Sequence, residues 1–208
     1  MWSTADAPDE DGAGSPDGAY FVPAEADTTV SLTDLWFWKP TMKYRALAEL
    51  KSVYRNSVGA NSLLELGVFP DDTGNIPADQ FAVLTALGDY VRACHSPAAA
   101  LASAAPARAA GVAVSFASSL IDRIILQEDL TAGENVLSFD VYASAEGGYA
   151  RVPVLVASGT AVGHKRILYF ASGPIVASSV SVNATSWRAG VDAPSWRALR
   201  VFAPCAAE

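Results

Sequence analysis

Residues 54–91 read YRNSVGANSLLELGVFPDDTGNIPADQFAVLTALGDYV, and the fold class is inferred from the pattern in this stretch. Its central segment, Ser62–Val68, is an apolar run of strand length that only Glu65 interrupts. Such a run is typical of a strand that is covered on both faces in a parallel sheet. The turn-forming segment Phe69–Gly74 follows, in which Pro70 fixes φ and Gly74 permits a positive φ.

A helix is predicted on each side of this strand. Pro77 and Asp79 are typical of the first turn of a helix. The apolar residues that follow at helical spacing are Phe81, Leu84, Leu87 and Val91. Before the strand, residues 44–58 form a second helical pattern. The order helix, strand, loop, helix is the repeating unit of α/β proteins, which place function on the loops after the strands.

Composition excludes some classes of partner. The chain has 208 residues, 14 of them basic and 22 acidic, so its net charge is −8. Nucleic acids and anionic membranes need a basic surface, so we expect neither as a partner. No apolar run reaches the ~18 residues that span a bilayer. The acidic stretch at residues 1–12 lacks the apolar core of a signal peptide, and we expect none in this chain.

The cysteines and polar motifs leave several questions open. Cys94 and Cys205 either pair or are both free, and their spacing does not decide between these states. Residues 183–185, Asn-Ala-Thr, match a glycosylation sequon, although such triplets often arise by chance.

No cluster of His, Cys and Asp has the spacing of metal ligands, so no metal or cofactor is predicted. We interpret His95 and His164, the latter on a predicted strand, as structural.

Changes in amino-acid composition along the chain predict four regions. Residues 1–19 are acidic and contain few large apolar side chains, which is typical of a disordered lead-in. Residues 20–95 are the α/β part described above. Residues 96–110 are rich in Ala and contain two prolines, which indicates an inter-domain linker. Residues 111–208 form the fourth region, a β domain.

Short apolar runs separated by turn residues about ten residues apart predict a β-sandwich in residues 111–208. The runs are 112–116, 121–126, 136–141, 152–156, 166–170, 175–182 and 199–202. Glu128 and Asp129 are the most conspicuous acids of this half, and we expect both on a solvated turn before Gly133.

Two carboxylates and an aromatic cluster make residues 20–38 the candidate site. Glu25 and Asp27 precede the three adjacent aromatics Trp36, Phe37 and Trp38. A glycosidase needs a carboxyl group to exchange the proton of the glycosidic oxygen, and flat rings stack on the apolar faces of sugars. Adjacent aromatics are, however, more often core residues than a binding platform.

Four segments resemble, in the same order, the α-L-fucosidases of glycoside hydrolase family 29. The segments are PAEAD followed by LWFW, SVGANSLLELGVFPDDTGNI, IDRIILQEDL, and SGTAVGHKRILYF. The departures from the family's pattern are Lys39 for a usual His, Ala60 for Arg, Glu65 for Leu, Gly67 for Asn and Phe69 for Pro. A Glu in a buried strand costs several kcal/mol unless it is paired or protonated.

The resemblance implies a fold and an activity. The fold is α/β plus all-β, the C-terminal fragment of a (β/α)₈ barrel at residues 20–95 followed by a β-sandwich at residues 111–208. The activity is retaining hydrolysis of terminal α-L-fucosyl residues from glycans, without a cofactor. The nucleophilic Asp falls outside this chain. Glu25 is the candidate general acid/base, with Asp27 close by, and Trp36 and Trp38 are candidates to line the sugar pocket.

A second class of function remains open. The chain is alternatively a non-catalytic remnant or a carbohydrate-binding β-sandwich module. In either case we expect the chain alone to lack fucosidase activity and to be poorly soluble, because a barrel fragment leaves sheet edges unpaired. The resemblance implies a secreted, lysosomal or apoplastic location and a fucosylated glycan or glycoconjugate as the binding partner.

Overall fold

The computed structural model describes residues 1–2, 4–5, 14–33, 37–145 and 152–206. Strands predominate among its elements, and two α-helices lie in the first half. The elements are β1 (Thr4–Ala5), β2 (Tyr20–Phe21), β3 (Glu25–Thr29), α1 (Leu47–Asn56), β4 (Leu63–Gly67), α2 (Ala78–His95), β5 (Ala102–Ala104), β6 (Ala107–Arg108), β7 (Gly111–Ile121), β8 (Arg123–Glu128), β9 (Val136–Ser144), β10 (Val154–Gly159), β11 (Arg166–Tyr169), β12 (Ile175–Trp187) and β13 (Ser195–Phe202).

Strands β3 and β4 form a parallel pair that helix α1 connects. Leu66 of β4 packs against the apolar residues of α1 and α2, whereas Leu63 and Glu65 are exposed. The sequence predicted a strand covered on both faces. In the described chain only one face is covered, so Glu65 is solvated and does not carry the cost of burial.

The start of each helix is fixed by polar contacts that the sequence pattern supplies. The Glu49 carboxylate accepts the Ala46 N–H at 2.9 Å, which satisfies a free donor at the start of α1. At the start of α2, the buried Gln80 side chain accepts the Phe69 N–H and donates to the Phe69 carbonyl, each at 2.8 Å. This pair of bonds fixes the chain just after the carboxyl end of β4. Pro77 immediately precedes the first helical residue.

Two antiparallel sheets fill the second half of the chain. One has the strand order β10-β9-β12-β7, and the other has the order β11-β8-β13-β5, with β6 also paired to β13. Their apolar faces share one core, in which Phe139 of the first sheet and Trp196 of the second are both fully buried. All seven strands that the apolar runs predicted, β7 to β13, are present.

The ranges that the sequence predicted to be a lead-in and a linker contain some paired residues. Within 1–19, Thr4–Ala5 pairs with β2, and residues 3 and 6–13 lie outside the described residues. Within 96–110, β5 and β6 pair with β13, so part of the expected linker belongs to the second sheet. The wider domain boundaries stay a prediction. In the described ranges, no helix is long and apolar enough to cross a membrane.

Candidate functional site

Three carboxylates share the open face of the β3–β4 pair. Side chains alternate along a strand, and here Ala26 and Thr28 line a groove with residues of α1. Glu25 and Asp27 therefore point the other way, together with Glu65 of β4, and all three are exposed. Asp27 lies directly opposite Glu65 in the parallel register. Like charges opposed in this way destabilise a strand pair.

Glu25 is the first residue of β3. Its backbone belongs to the parallel ladder, where it pairs with Leu63. Thr29, at the carboxyl end, is four positions further along β3, a distance of about 13 Å along a strand. Asp27 is two residues nearer to that end. Since α/β proteins place their sites at the carboxyl ends of strands, this position makes Asp27 a second candidate beside Glu25.

The described aromatics lie beyond the carboxyl ends of the two strands. Trp38 is half-buried and packs against a cluster that contains Val30, Met42 and Phe69. Trp38 and Glu25 therefore lie at opposite ends of the strand pair. Trp36 lies outside the described residues. Phe37 was not among the predicted site residues, and its ring is 83% exposed.

The Trp38 indole also contacts Tyr44, which follows it on the same connection between β3 and α1. Both side chains pack against the same cluster. Partial burial raises the pKa of the Tyr44 phenol, and the Asp79 carboxylate raises it further, while the Trp38 indole acts in the opposite direction. A half-buried aromatic ring leaves part of its surface free to stack on a sugar.

The second half contains a buried acid that the sequence pattern placed wrongly on a solvated turn. Glu128 ends β8 and is only 2% exposed. One carboxylate oxygen accepts the N–H groups of Asn135 and Val136 at 2.8 and 3.0 Å, and the other accepts the Gly163 N–H at 2.8 Å. Burial raises the pKa of Glu128, the three bonds oppose this rise, and the charge of nearby Glu134 adds to it. Asp129 is exposed, as expected.

Asn61 joins the α/β half to the two sheets. It lies just before β4 with φ = 64°, a left-handed conformation that Asn adopts more readily than most residues. Its amide nitrogen donates to the buried Glu134 carboxylate at 2.5 Å, and its amide oxygen accepts the His164 N–H at 2.7 Å. Its backbone N–H donates to the Lys165 carbonyl at 2.9 Å. Sequence reasoning missed this contact because the partners are more than 70 residues apart.

The two histidines lie outside the strands that carry the candidate carboxylates. His95 ends α2, is buried, and contacts the rings of Tyr54, Tyr90 and Tyr169. His164 is exposed on a turn before β11, so the expectation of a strand position is wrong. Within the described ranges, no group of three His, Cys, Asp or Glu side chains is arranged to hold a metal ion.

Part of the chain is similar in sequence to two plant proteins. No family model matches the chain. It is 39% identical over 77 residues to a putative α-L-fucosidase 1 of rice (Oryza sativa subsp. japonica), a match that spans 37% of this chain and 14% of the rice protein. The α-L-fucosidase 1 of Arabidopsis thaliana is 39% identical over 67 residues, which are 32% of this chain and 13% of that protein.

Solved structures extend the similarity to nearly the whole chain. The crystal structure of a putative α-L-fucosidase from Bacteroides thetaiotaomicron VPI-5482 superposes on 98% of this chain with a TM-score of 0.87 and 27% identity. The chain resembles the α-L-fucosidases of glycoside hydrolase family 29. A fucosidase of this family from Ruminococcus gnavus, solved in complex with fucose, shares the fold over 100% of this chain, with a TM-score of 0.81 and 16% identity.

The resemblance covers only part of these fucosidases. The chain spans 47% of the Bacteroides structure and 48% of the Ruminococcus structure. It matches still smaller shares, 14% and 13%, of the two plant proteins. The other half of each solved fucosidase therefore has no counterpart in these 208 residues.

Proposed function

We propose that this chain is the C-terminal part of a retaining α-L-fucosidase. The observation that carries the proposal is the superposition of 98% of the chain on the Bacteroides structure at 27% identity. In this interpretation the unit β3–α1–β4–α2 is the end of a (β/α)₈ barrel, and the two antiparallel sheets are the β-sandwich that follows it. The substrate is a terminal α-L-fucosyl residue of a glycan or glycoconjugate.

The open face of β3 and β4 supports this assignment physically. Leu63 is 57% exposed beside the carboxylates, and the described ladder of β3 has only one partner strand. Inside a barrel this face points into the interior, where neighbouring strands cover it. The exposed Glu25, Asp27 and Glu65 carboxylates would then lie together in a space from which most water is excluded.

Hydrolysis with retention needs two carboxyl groups. A nucleophilic carboxylate, which we place outside this chain, attacks the anomeric carbon while a carboxylic acid protonates the departing glycosidic oxygen. The same acid, now ionised, then takes a proton from the water that releases fucose. We assign the acid/base role to Glu25, because it is the Glu of the segment that carries the resemblance. We keep Asp27 as the alternative, because it lies two residues nearer to the carboxyl end of β3 and to Trp38. Such an acid must hold its proton near neutral pH, and neighbouring carboxylates in a dry site favour this.

Phe37 and Trp38 are proposed to line the fucose subsite, with Trp36 as a further candidate. The exposed ring of Phe37 and the open face of Trp38 lie beyond the carboxyl ends of β3 and β4, where the sugar of a barrel enzyme binds. Lys39, also exposed, stands beside them. Its ammonium donates hydrogen bonds to sugar hydroxyls but accepts none, unlike the neutral His that it replaces in the resemblance.

The acid/base assignment is tested in the protein encoded by the full native transcript. An acid variant should lose hydrolysis of a glycan with a poor leaving group, yet still form the glycosyl-enzyme from an aryl fucoside whose leaving group needs no proton. Release of fucose from that intermediate should be slow, because the variant lacks the base that activates water. Added azide should restore the release by attacking the glycosyl-enzyme directly. We expect this behaviour for Glu25→Ala and not for Asp27→Ala. The reverse result would assign the acid/base role to Asp27. Normal glycan hydrolysis by both variants would show that the acid/base residue is not on β3.

Carbohydrate binding without catalysis is the second candidate function. The observation that favours it is the 83% exposed side chain of Phe37 beside the half-buried Trp38. Binding of a fucosylated glycan by the 208-residue chain, weakened by Phe37→Ala or Trp38→Ala, would support this function. The variant Phe81→Ala is a matched control, because Phe81 is also an exposed aromatic but lies on α2.

A further inference from the structure

Asn183 is an exposed residue on the outer face of the four-stranded sheet. It lies in β12 and pairs with Asp140 of β9 on one side and with Gly111 of β7 on the other. Its side-chain amide makes no hydrogen bond with the described residues. A Cβ atom at Gly111 would approach the Asn183 side-chain oxygen to 2.4 Å, so the glycine leaves room for the amide. Asn183-Ala184-Thr185 is the one Asn-X-Ser/Thr triplet of the sequence.

The disulfide between the two cysteines independently indicates an oxidising compartment. Cys94 at the end of α2 and Cys205 after β13 form a disulfide, with their Cα atoms 5.5 Å apart. This distance lies within the range of unforced disulfides. Structural disulfides form and persist in oxidising compartments, of which the secretory pathway is the eukaryotic example. Asparagine-linked glycosylation takes place in the same pathway and modifies Asn in this triplet.

We propose that Asn183 carries an asparagine-linked glycan. The donor is an oligosaccharide that is joined through a pyrophosphate to a polyprenyl lipid. A bond forms between the Asn183 amide nitrogen and the anomeric carbon of the first sugar, and the bond from that carbon to the pyrophosphate oxygen breaks. The lipid pyrophosphate leaves, and the amide nitrogen gives up one proton to a base of the transferase. No redox step is involved.

The position of the triplet fixes when the transfer occurs. In the folded chain Asn183 is part of a ladder with strands on both sides, and the Thr185 hydroxyl is 2.7 Å from the Ser138 hydroxyl of β9. A transferase that reads the Thr hydroxyl needs this segment unpaired. The glycan is therefore added before β12 pairs with β7 and β9, and afterwards it projects from the outer face of the finished sheet.

The composition of the sheet gives the glycan a physical role. Its four strands, β7, β9, β10 and β12, contain one charged residue, Asp140, and no proline. Its edge strands, β7 and β10, therefore lack the charges and prolines that normally prevent edge-to-edge association. Exposed Val154, Leu155 and Val176 add apolar surface. A hydrated oligosaccharide on the central strand beside β7 keeps a second sheet from approaching this face.

The test is expression of the chain behind a cleavable secretory leader in cultured plant cells, followed by mass spectrometry of the cell-associated and secreted pools. The wild type should carry one glycan that a peptide N-glycosidase removes, which converts Asn183 to Asp. The matched pair is Thr185→Ala and Ser138→Ala, because both lose the bond between residues 138 and 185. Only Thr185→Ala should lose the glycan. Thr185→Ser should keep it, whereas Asn183→Gln should lose it.

The same samples give the effect of the glycan on association. We expect the unglycosylated Thr185→Ala chain to form several-fold more large aggregate than Ser138→Ala at equal concentration. An unmodified Asn183 in a chain whose disulfide has formed would overturn the proposal, and so would reduced cysteines in a chain that has entered the pathway. A glycan that persists in Thr185→Ala would also overturn it.

Discussion

Replacing Glu128 by Gln keeps the shape of the side chain and removes one acceptor. The Glu128 carboxylate receives three backbone N–H groups, two on one oxygen and the Gly163 N–H on the other. In the Gln variant the oxygen keeps the bonds from Asn135 and Val136, and the new NH₂ group faces the Gly163 N–H. Two donors then oppose each other at a site that is almost fully buried.

The expected loss of stability follows from this geometry. A buried donor without an acceptor costs about 1–3 kcal/mol, so we expect Glu128→Gln to lower the free energy of unfolding by about 2 kcal/mol. For a chain of this size that corresponds to a fall in Tm of about 4–8 °C. The fall in Tm is measured by thermal unfolding at micromolar concentration, followed by tryptophan fluorescence. Asp129→Asn is the matched control, because it makes the same charge change at the adjacent, exposed residue.

The pH dependence gives a second readout of the same variant. Because burial raises the pKa of Glu128 in the folded state, the folded chain binds the proton more tightly than the unfolded chain. Lowering the pH from 7 towards 4.5, the ordinary pKa of a glutamate, therefore stabilises the wild type relative to Glu128→Gln, and the gap in Tm widens. A variant no less stable than Asp129→Asn, or a gap that narrows as the pH falls, would refute this account of Glu128.

Three further predictions concern the link between the halves, the disulfide and the activity of the chain. Asn61→Gly keeps the left-handed backbone but removes the contacts with Glu134 and His164, so the free energy of unfolding in urea should fall by about 2–3 kcal/mol; a loss no larger than that of the exposed control Asn56→Ala would contradict the proposed link. Cys205→Ser removes a disulfide between residues 111 positions apart and should lower the free energy of unfolding by about 4 kcal/mol. A reducing agent should lower the stability of the wild type to that of the variant and leave the variant unchanged. An equal effect of the reducing agent on both proteins would contradict a stabilising disulfide. The purified 208-residue chain should not hydrolyse an aryl α-L-fucoside and should aggregate above micromolar concentration; turnover would show that the chain contains both catalytic carboxyl groups.

Local patterns predicted the elements of this fold well. The apolar run at Leu63–Gly67, the helical spacing before and after it, and the alternating runs of the second half all correspond to observed elements. These signals are local because side-chain periodicity reflects the geometry of a single strand or helix. The resemblance in four segments also predicted the family that the comparisons support.

Environment and long-range contacts were not predictable in the same way. Glu128 was expected in solvent because Asp129 and Gly133 beside it form a turn, but its carboxylate is buried by bonds from Asn135, Val136 and the distant Gly163. Glu65 was expected to be buried because its neighbours in β4 are apolar, but whether the second face is covered depends on strands outside this unit. The pairing of Cys94 with Cys205 and the bonds of Asn61 join residues that are distant in sequence. No periodic signal marks such pairs.

The stereochemistry of fucoside hydrolysis by the protein encoded by the full native transcript shows whether this chain belongs to a retaining fucosidase. Proton NMR of the first fucose released distinguishes the α from the β anomer before they equilibrate. We expect turnover with the α configuration retained. An in-frame stop codon just upstream of the codon for Met1, a full-length product without turnover, or initial release of the β anomer would contradict this expectation.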